Sequence, residues 1–189
     1  MIFEGNESSG TSSVGGAIVV SSVAIEVGGS IIFSNNIATG TIYSSGGAIN
    51  ASSFIIRAGE DIIFEGNKVI CNSGATGGAI HAVGSLSFSV VEAGKNITFS
   101  NNTAGNGGAI YASDSLSFTI NAGGDIIFTN NIATTSGGAI YANNLSTYSY
   151  VKLISNSIIA SGNTPNNTAG SSTASKDRIL FETVDGSKM

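Results

Sequence analysis

Few charges, one cysteine, one proline and one histidine are the first constraints imposed by this 189-residue sequence. Charged residues make up 10% of it, far below the quarter usual for a globular domain, and the polar remainder is mostly Gly, Ser, Asn and Thr. That balance suits an extracellular repeat array better than a cytosolic enzyme. Seven basic residues against twelve acidic ones leave a net charge of -5. No nucleic acid is expected as a partner, because phosphate contacts need clustered Lys and Arg. Nor does any polybasic stretch offer itself to anionic lipid. Cys71 has no second cysteine to pair with, and the surrounding VICNSG holds no metal-spaced histidine, so the thiol is expected to be structurally idle. No apolar run reaches the ~18 residues needed to cross a bilayer, and MIFEGNESSG at the N-terminus lacks the basic and apolar regions of a secretory signal. Direct membrane insertion is therefore not expected. Disorder is excluded too, by 41% hydrophobic content and a positive mean hydropathy.

What is present is repetition. FEGN at Phe3, FSNN at Phe33, FEGN at Phe64, FSNN at Phe99 and FTNN at Phe128 alternate with GGAI at Gly15, Gly46, Gly77, Gly107 and Gly137. Successive GGAI steps are 31, 31, 30 and 30 residues, a period that signals a solenoid, propeller or array. Around FxxN the chain reads AGEDIIFEGN, AGKNITFSNN and AGGDIIFTNN, and a sixth copy, SIIASGN at Ser157, has Ala160 in place of Phe. Ile and Phe alternate there with period two, the mark of a strand with one buried face. GGAI continues into a second strand whose fifth position, Val19, Asn50, His81, Tyr111 and Tyr141, is expected to face solvent. SLSFSV and SLSFTI read as a third. Three short strands in about 30 residues, with no helical period, predict an all-β fold, a parallel β-helix of about five coils with three strands per coil. A propeller blade needs four strands and roughly 40 to 45 residues. Residues 1–163 are assigned to the repeats, 164–176 to a flexible loop around the only proline, and 177–189 to a terminal strand or cap. Because the chain starts inside a repeat, it is expected to be a fragment or to begin at a downstream start codon.

The two columns that close each FxxN carry the strongest expectations. Gly5, Asn35, Gly66, Asn101, Asn130 and Gly162 are the residue types that enter positive φ at least cost, and they predict a left-handed corner. Asn6, Asn36, Asn67, Asn102, Asn131 and Asn163 never vary between copies and predict an internal amide ladder. The glycine pairs are expected to turn the chain beneath the Phe side chains. From Phe to the next GGAI the count is 12 or 13 residues in the first three copies and then 8 and 9, read as insertions leaving the coil at a corner.

Five alternating GGAI and FxxN pairs resemble the chlamydial polymorphic membrane proteins over roughly residues 1 to 163. The resemblance implies a passenger segment of a type V autotransporter, a right-handed β-helix exported with a signal peptide and an outer-membrane β-barrel, and located at the cell surface, in the outer membrane or secreted. It implies an adhesin and virulence role toward host cells, with a host-cell surface protein or glycan as partner and self-association as a second expected contact. Carried over residue by residue, it places adhesion importance on Gly46, Gly47, Ala48 and Ile49; Gly77, Gly78, Ala79 and Ile80; Gly107, Gly108, Ala109 and Ile110; Gly137, Gly138, Ala139 and Ile140. Phe64 with Asn67, Phe99 with Asn102, and Phe128 with Asn131 carry the FxxN half. The same residues are what a coil needs to fold, so changes there are expected to abolish binding through misfolding.

Catalysis is the competing reading, since parallel β-helices also host polysaccharide lyases and hydrolases. Asp61 and Asp125 share a column with Ser30, Asn96 and Ser157, and their separation of about 10 Å by strand spacing fits an inverting carboxylate pair. A column of Asp, Asn and Ser before a strand is more often a turn cap. His81 has no acid partner in the sequence and is expected at the surface, while Glu60 and Lys95 read as solvated corner charges. No catalytic residue, metal or cofactor is expected. Tyr111 and Tyr141, one coil apart, are the exposed contact candidates. An ice-binding face is disfavoured, because the outward FxxN column Glu4, Ser34, Glu65, Ser100, Thr129, Ser161 is irregular.

Overall fold

The computed structural model describes residues 1–90, 95–113, 117–143, 150–170 and 179–183. Among them there is no helix, and every strand pairing is parallel. The chain winds as a β-solenoid of about five turns with three sheets along its length.

The first sheet stacks Ile2–Glu4, Ile31–Ser34, Ile62–Glu65, Ile97–Ser100, Ile126–Thr129 and Ile158–Ser161. Its register sets like on like: Phe33 pairs with Phe64, Phe64 with Phe99 and Phe99 with Phe128. The alternation predicted from Ile-x-Phe is the burial observed, with Ile31, Phe33, Ile62, Phe64, Ile97 and Phe99 fully buried. Because strand spacing is about 4.8 Å, the rings stack as the backbones do. Centroids from Phe3 to Phe128 lie 4.6, 4.9, 4.9 and 5.0 Å apart, with planes within 7°.

The other two sheets partition the coil differently from the sequence reading. GGAI and the Leu/Phe segment are not separate faces. Ile49–Ala58 and Ile80–Val90 each run as one strand through both, with a register shift only between Ala82 and Ser85. The remaining face comes from the residues between FxxN and GGAI, taken from sequence as corner loops: Glu7–Val14, Ile37–Ser45, Lys68–Cys71 with Ala75–Thr76, Thr103–Asn106 and Ile132–Ser136. The physical reason is the size of the inward residue. Ala38, Val69, Ala104 and Ala133 are buried there among Ser, Thr and Gly, so a period-two pattern exists with almost no hydrophobic contrast to reveal it. Extra residues bulge outward, as at the register shift between Gly10 and Ser12.

The solenoid also continues past residue 163. Thr164 bridges to Ile132, and Thr168–Gly170 pairs with Ile140–Asn143, so the first part of the expected 164–176 loop belongs to a coil. Residues 171–176 lie outside the described ones. Ile179–Thr183 pairs in parallel with Tyr150–Ser155.

Where Ala160 replaces the sixth Phe, the interior opens at the end of the rod as a cavity of about 370 Å³ lined by Phe128, Ala139, Ile140, Ile158 and Ala160. A ring restored there would stack on Phe128, its register neighbour. Ala160→Phe is expected to raise unfolding stability by about 1 kcal/mol in a urea titration, with an unchanged slope; this is less than full Phe burial because one face stays wet.

Candidate functional site

The FxxN candidates are organised by hydrogen bonds that only stacked coils can make. At the corner, Asn35, Asn101 and Asn130 hold φ of 55°, 58° and 55°, in the same column as Gly5, Gly66 and Gly162. The chain therefore turns the same way at every level, and the next residue points its amide inward. Asn67 Nδ2 donates to Asn102 Oδ1 at 3.0 Å, and Asn102 Nδ2 donates to Asn131 Oδ1 at 2.9 Å. Each Nδ2 donates its second proton back to a Phe carbonyl: Asn67 to Phe33 at 2.9 Å, Asn102 to Phe64 at 3.0 Å, Asn131 to Phe99 at 2.9 Å. Each Oδ1 also accepts a backbone N–H, as from Asn67 to Asn102 at 3.0 Å. Asn36, Asn67, Asn102 and Asn131 are fully buried. At the last rung Asn163 Nδ2 donates to Asn167 Oδ1 at 3.0 Å, so the segment past residue 163 supplies the final acceptor.

The GGAI candidates are equally internal. Gly46 has φ of +64°, a left-handed conformation that starts the turn into the strand. Gly47 is needed for close approach. A Cβ there would lie 2.1 Å from the Gly78 carbonyl oxygen and 2.6 Å from the Lys68 backbone nitrogen. The glycine therefore presses against the backbone of the segment that follows the asparagine corner, not beneath a Phe ring as the sequence suggested. Ala48, Ile49, Ala79, Ile80, Ala109 and Ile110 are fully buried, and Ala139 and Ile140 nearly so. The folded rod turns these side chains inward.

A further column points outward on the sheet that carries GGAI. Asn50, His81, Tyr111 and Tyr141 are in register from coil to coil. The ring centroids of His81 and Tyr111 lie 5.1 Å apart, and those of Tyr111 and Tyr141 lie 5.4 Å apart with planes 12° from parallel. Tyr111 and Tyr141 are half-buried. His81, expected at the surface, is only 7% exposed. Tyr43 covers it edge-on at 6.5 Å, and Asn50 Nδ2 donates to its Nδ1 at 2.9 Å. Tyr43 was missed because it lies in the stretch read as a corner insertion. An aromatic within the longest FxxN-to-GGAI spacings was the available signal.

The Asp column is a second ladder, of caps. Asn96 N–H donates to Asp61 Oδ1 at 2.7 Å, Asp125 N–H donates to Asn96 Oδ1 at 2.8 Å, and Ser157 Oγ donates to Asp125 Oδ1 at 2.8 Å. Ser30 Oγ likewise donates to Glu60 at 3.0 Å, and the Cys71 thiol donates to the Ser73 carbonyl at 2.8 Å. Among the described residues no group of three or more His, Cys, Asp and Glu is placed to hold a metal ion, and no helix is long and apolar enough to cross a membrane.

Identical turns joined by in-register ladders define a β-solenoid repeat protein, with the coil as the unit of homology. The family model described as the Chlamydia polymorphic membrane protein (Chlamydia_PMP) repeat matches residues 30–52, 61–83, 96–113 and 125–143. Each match opens in the capping column and runs through one FxxN and one GGAI. The chain belongs to this family. Membership implies an outer-membrane or surface protein. No curated protein and no solved structure matches the chain.

Replacing Asn102 by Leu would strand the Asn67 N–H and one Asn67 Nδ2 proton, two buried groups at ~1–3 kcal/mol each. Chemical denaturation of Asn102→Leu is expected to show a loss of at least ~2 kcal/mol. A loss within ~0.5 kcal/mol of an exposed Ser substitution would contradict the ladder's role.

Proposed function

We propose that the rod is the host-contacting passenger of a type V autotransporter adhesin, with no catalytic step of its own. The observation that carries this reading is a division between inside and outside. The repeated motif residues are spent on internal ladders, ring stacking and backbone contact, and the outer flank of the GGAI strands carries the half-buried rings of Tyr111 and Tyr141. Under this reading GGAI and FxxN affect adhesion by holding that flank in register, and changes in them weaken binding as far as they unfold the coil. A carbohydrate-active enzyme is the second reading, and its best candidates are Asp61 and Asp125. Each of those carboxylates already accepts a hydrogen bond from the next coil, with Asn96 standing between them, an arrangement that favours a structural column over a reacting pair.

Beads coated with the purified protein are expected to bind cultured host cells saturably and to be displaced by the soluble protein. The Asn102→Leu variant should lose binding in step with its folded fraction. Folded wild-type beads binding no better than beads coated with an unrelated β-solenoid would end the adhesin reading. The paired substitution Asp61→Asn and Asp125→Asn keeps an oxygen acceptor at both caps. It is expected to leave cell binding unchanged and to shift stability by no more than ~0.5 kcal/mol. A polysaccharide-cleaving activity present in wild type and abolished in this variant would favour the enzyme instead.

A further inference from the structure

We propose that the outer face of the first sheet is a self-association surface, on which a second copy of this chain packs face to face with its rod reversed. In each strand the residue just before the Phe position points away from the core. Ile2, Ile32, Ile63, Thr98, Ile127 and Ile159 occupy that position and are in register from coil to coil. None of them is buried, and Ile2 and Ile159 are 65% and 43% exposed. They form a stripe of β-branched side chains along the rod. On one side it is flanked by the column that includes Ser34, Glu65 and Ser100, on the other by the capping column of Ser30, Asp61, Asn96 and Asp125. Strand propensity alone would be met by Thr, as it is at Thr98. Isoleucine repeated at the outward position adds contiguous apolar surface, which marks contact with another molecule.

Charge identifies the occupant and its direction. A two-fold axis along the strands, midway between Ile63 and Thr98, lets each column face its own kind while coil order is reversed. Ile63 then meets the partner's Thr98, and Ile32 meets the partner's Ile127. Glu65 faces the partner's Ser100, Asp61 the partner's Asn96, and Asp125 the partner's Ser30, so no acid meets an acid. At the corner before the strand, exposed Glu60 comes opposite the partner's Lys95, itself partly exposed, and symmetry makes this pair twice. An axis along the rod would instead set Glu65 against the partner's Asp61 on the same coil, a like-charge contact that disfavours parallel rods. Sheets packed face to face lie about 10 Å apart and within about 30° of alignment, a gap that Glu and Lys side chains span. Six strands at about 4.8 Å, each four residues long at about 3.3 Å, give a face of roughly 300 Å² in projection. That is below the ~800 Å² per partner of a standard interface, so the pairing is weak and depends on concentration. It stands apart from the adhesin reading, because the GGAI strands belong to another sheet and stay uncovered.

The test is sedimentation equilibrium of the full chain, with every variant first checked for an unchanged melting temperature. Wild type is expected to be monomeric near about 1 μM and to approach the mass of a dimer near about 1 mM. The paired substitution Ile63→Thr and Ile127→Thr puts in a residue that the column already holds at Thr98. It should weaken association about tenfold or more, since each position enters a two-fold contact twice. Lys95→Glu should weaken it about tenfold, and adding Glu60→Lys to Lys95→Glu should restore it to within about threefold of wild type. A wild-type chain still monomeric at about 1 mM, or a dimer indifferent to the two Ile substitutions, would overturn the proposal. Failure of the charge exchange to restore a dimer that Lys95→Glu had weakened would overturn the reversed packing. Uptake of monomers by phosphatidylcholine vesicles, lost in the Ile variant and without any dimer in solution, would assign the stripe to lipid and overturn it as well.

Discussion

A buried primary amide has two N–H donors and an oxygen with two acceptor positions, and the interior of this rod satisfies them from the coils directly above and below. That requirement fixes the coil more strictly than hydrophobic burial does, since burial alone would tolerate a two-residue slip, which keeps the same side chains inward. That shift would carry each Asn out of line and leave its amide without partners. Sequence separations between successive rungs are 30, 31, 35, 29 and 32, yet Nδ2 to Oδ1 distances stay between 2.7 and 3.0 Å. Insertions are therefore absorbed elsewhere in the turn while the ladder holds its rise.

The remaining internal features follow from that fixed rise. Rings one strand apart have room only to lie flat on one another, which gives the nearly parallel Phe column of the first sheet. A left-handed corner must precede each rung, and Gly or Asn supplies it. Glycine is required again where Gly47 meets the backbone of Lys68, because any side chain would push two segments of the coil apart. Each element is weak alone, and each Gly forfeits about 0.5–1 kcal/mol of conformational entropy. The sum turns favourable only through contacts with the neighbouring coil, as in other solenoids.

Much of this was legible in the letters because the demands of stacking repeat at fixed intervals. The amide column, the left-handed corners and the buried Ile-x-Phe face all appear as invariant or nearly invariant positions, and the capping column of Asp61, Asn96 and Asp125 was recognisable by residue type. The sheet formed between FxxN and GGAI was not legible, since alanine among Ser, Thr and Gly gives alternation without contrast. His81 was misplaced for a different reason. Its direction out of the coil was clear from Ile80 and Ala82 on either side, but the side chain that covers it, Tyr43, comes from another coil and another sheet. Cross-coil cover on the outside follows no repeat, so periodicity carries no information about it. The outer flank is the part of the molecule that repetition leaves unspecified.

Amide hydrogen exchange followed by NMR at Asn36, Asn67, Asn102 and Asn131 most directly tests whether the ladder holds the coils together. Their backbone N–H groups donate to the side-chain oxygen of the next rung. If the ladder is the unit of cooperativity, all four exchange only through global unfolding, with a common protection that falls together as urea is added. Four different protections, with individual rungs opening at the rates of exposed turns while the Phe strands stay closed, would show that hydrophobic stacking alone sustains the solenoid.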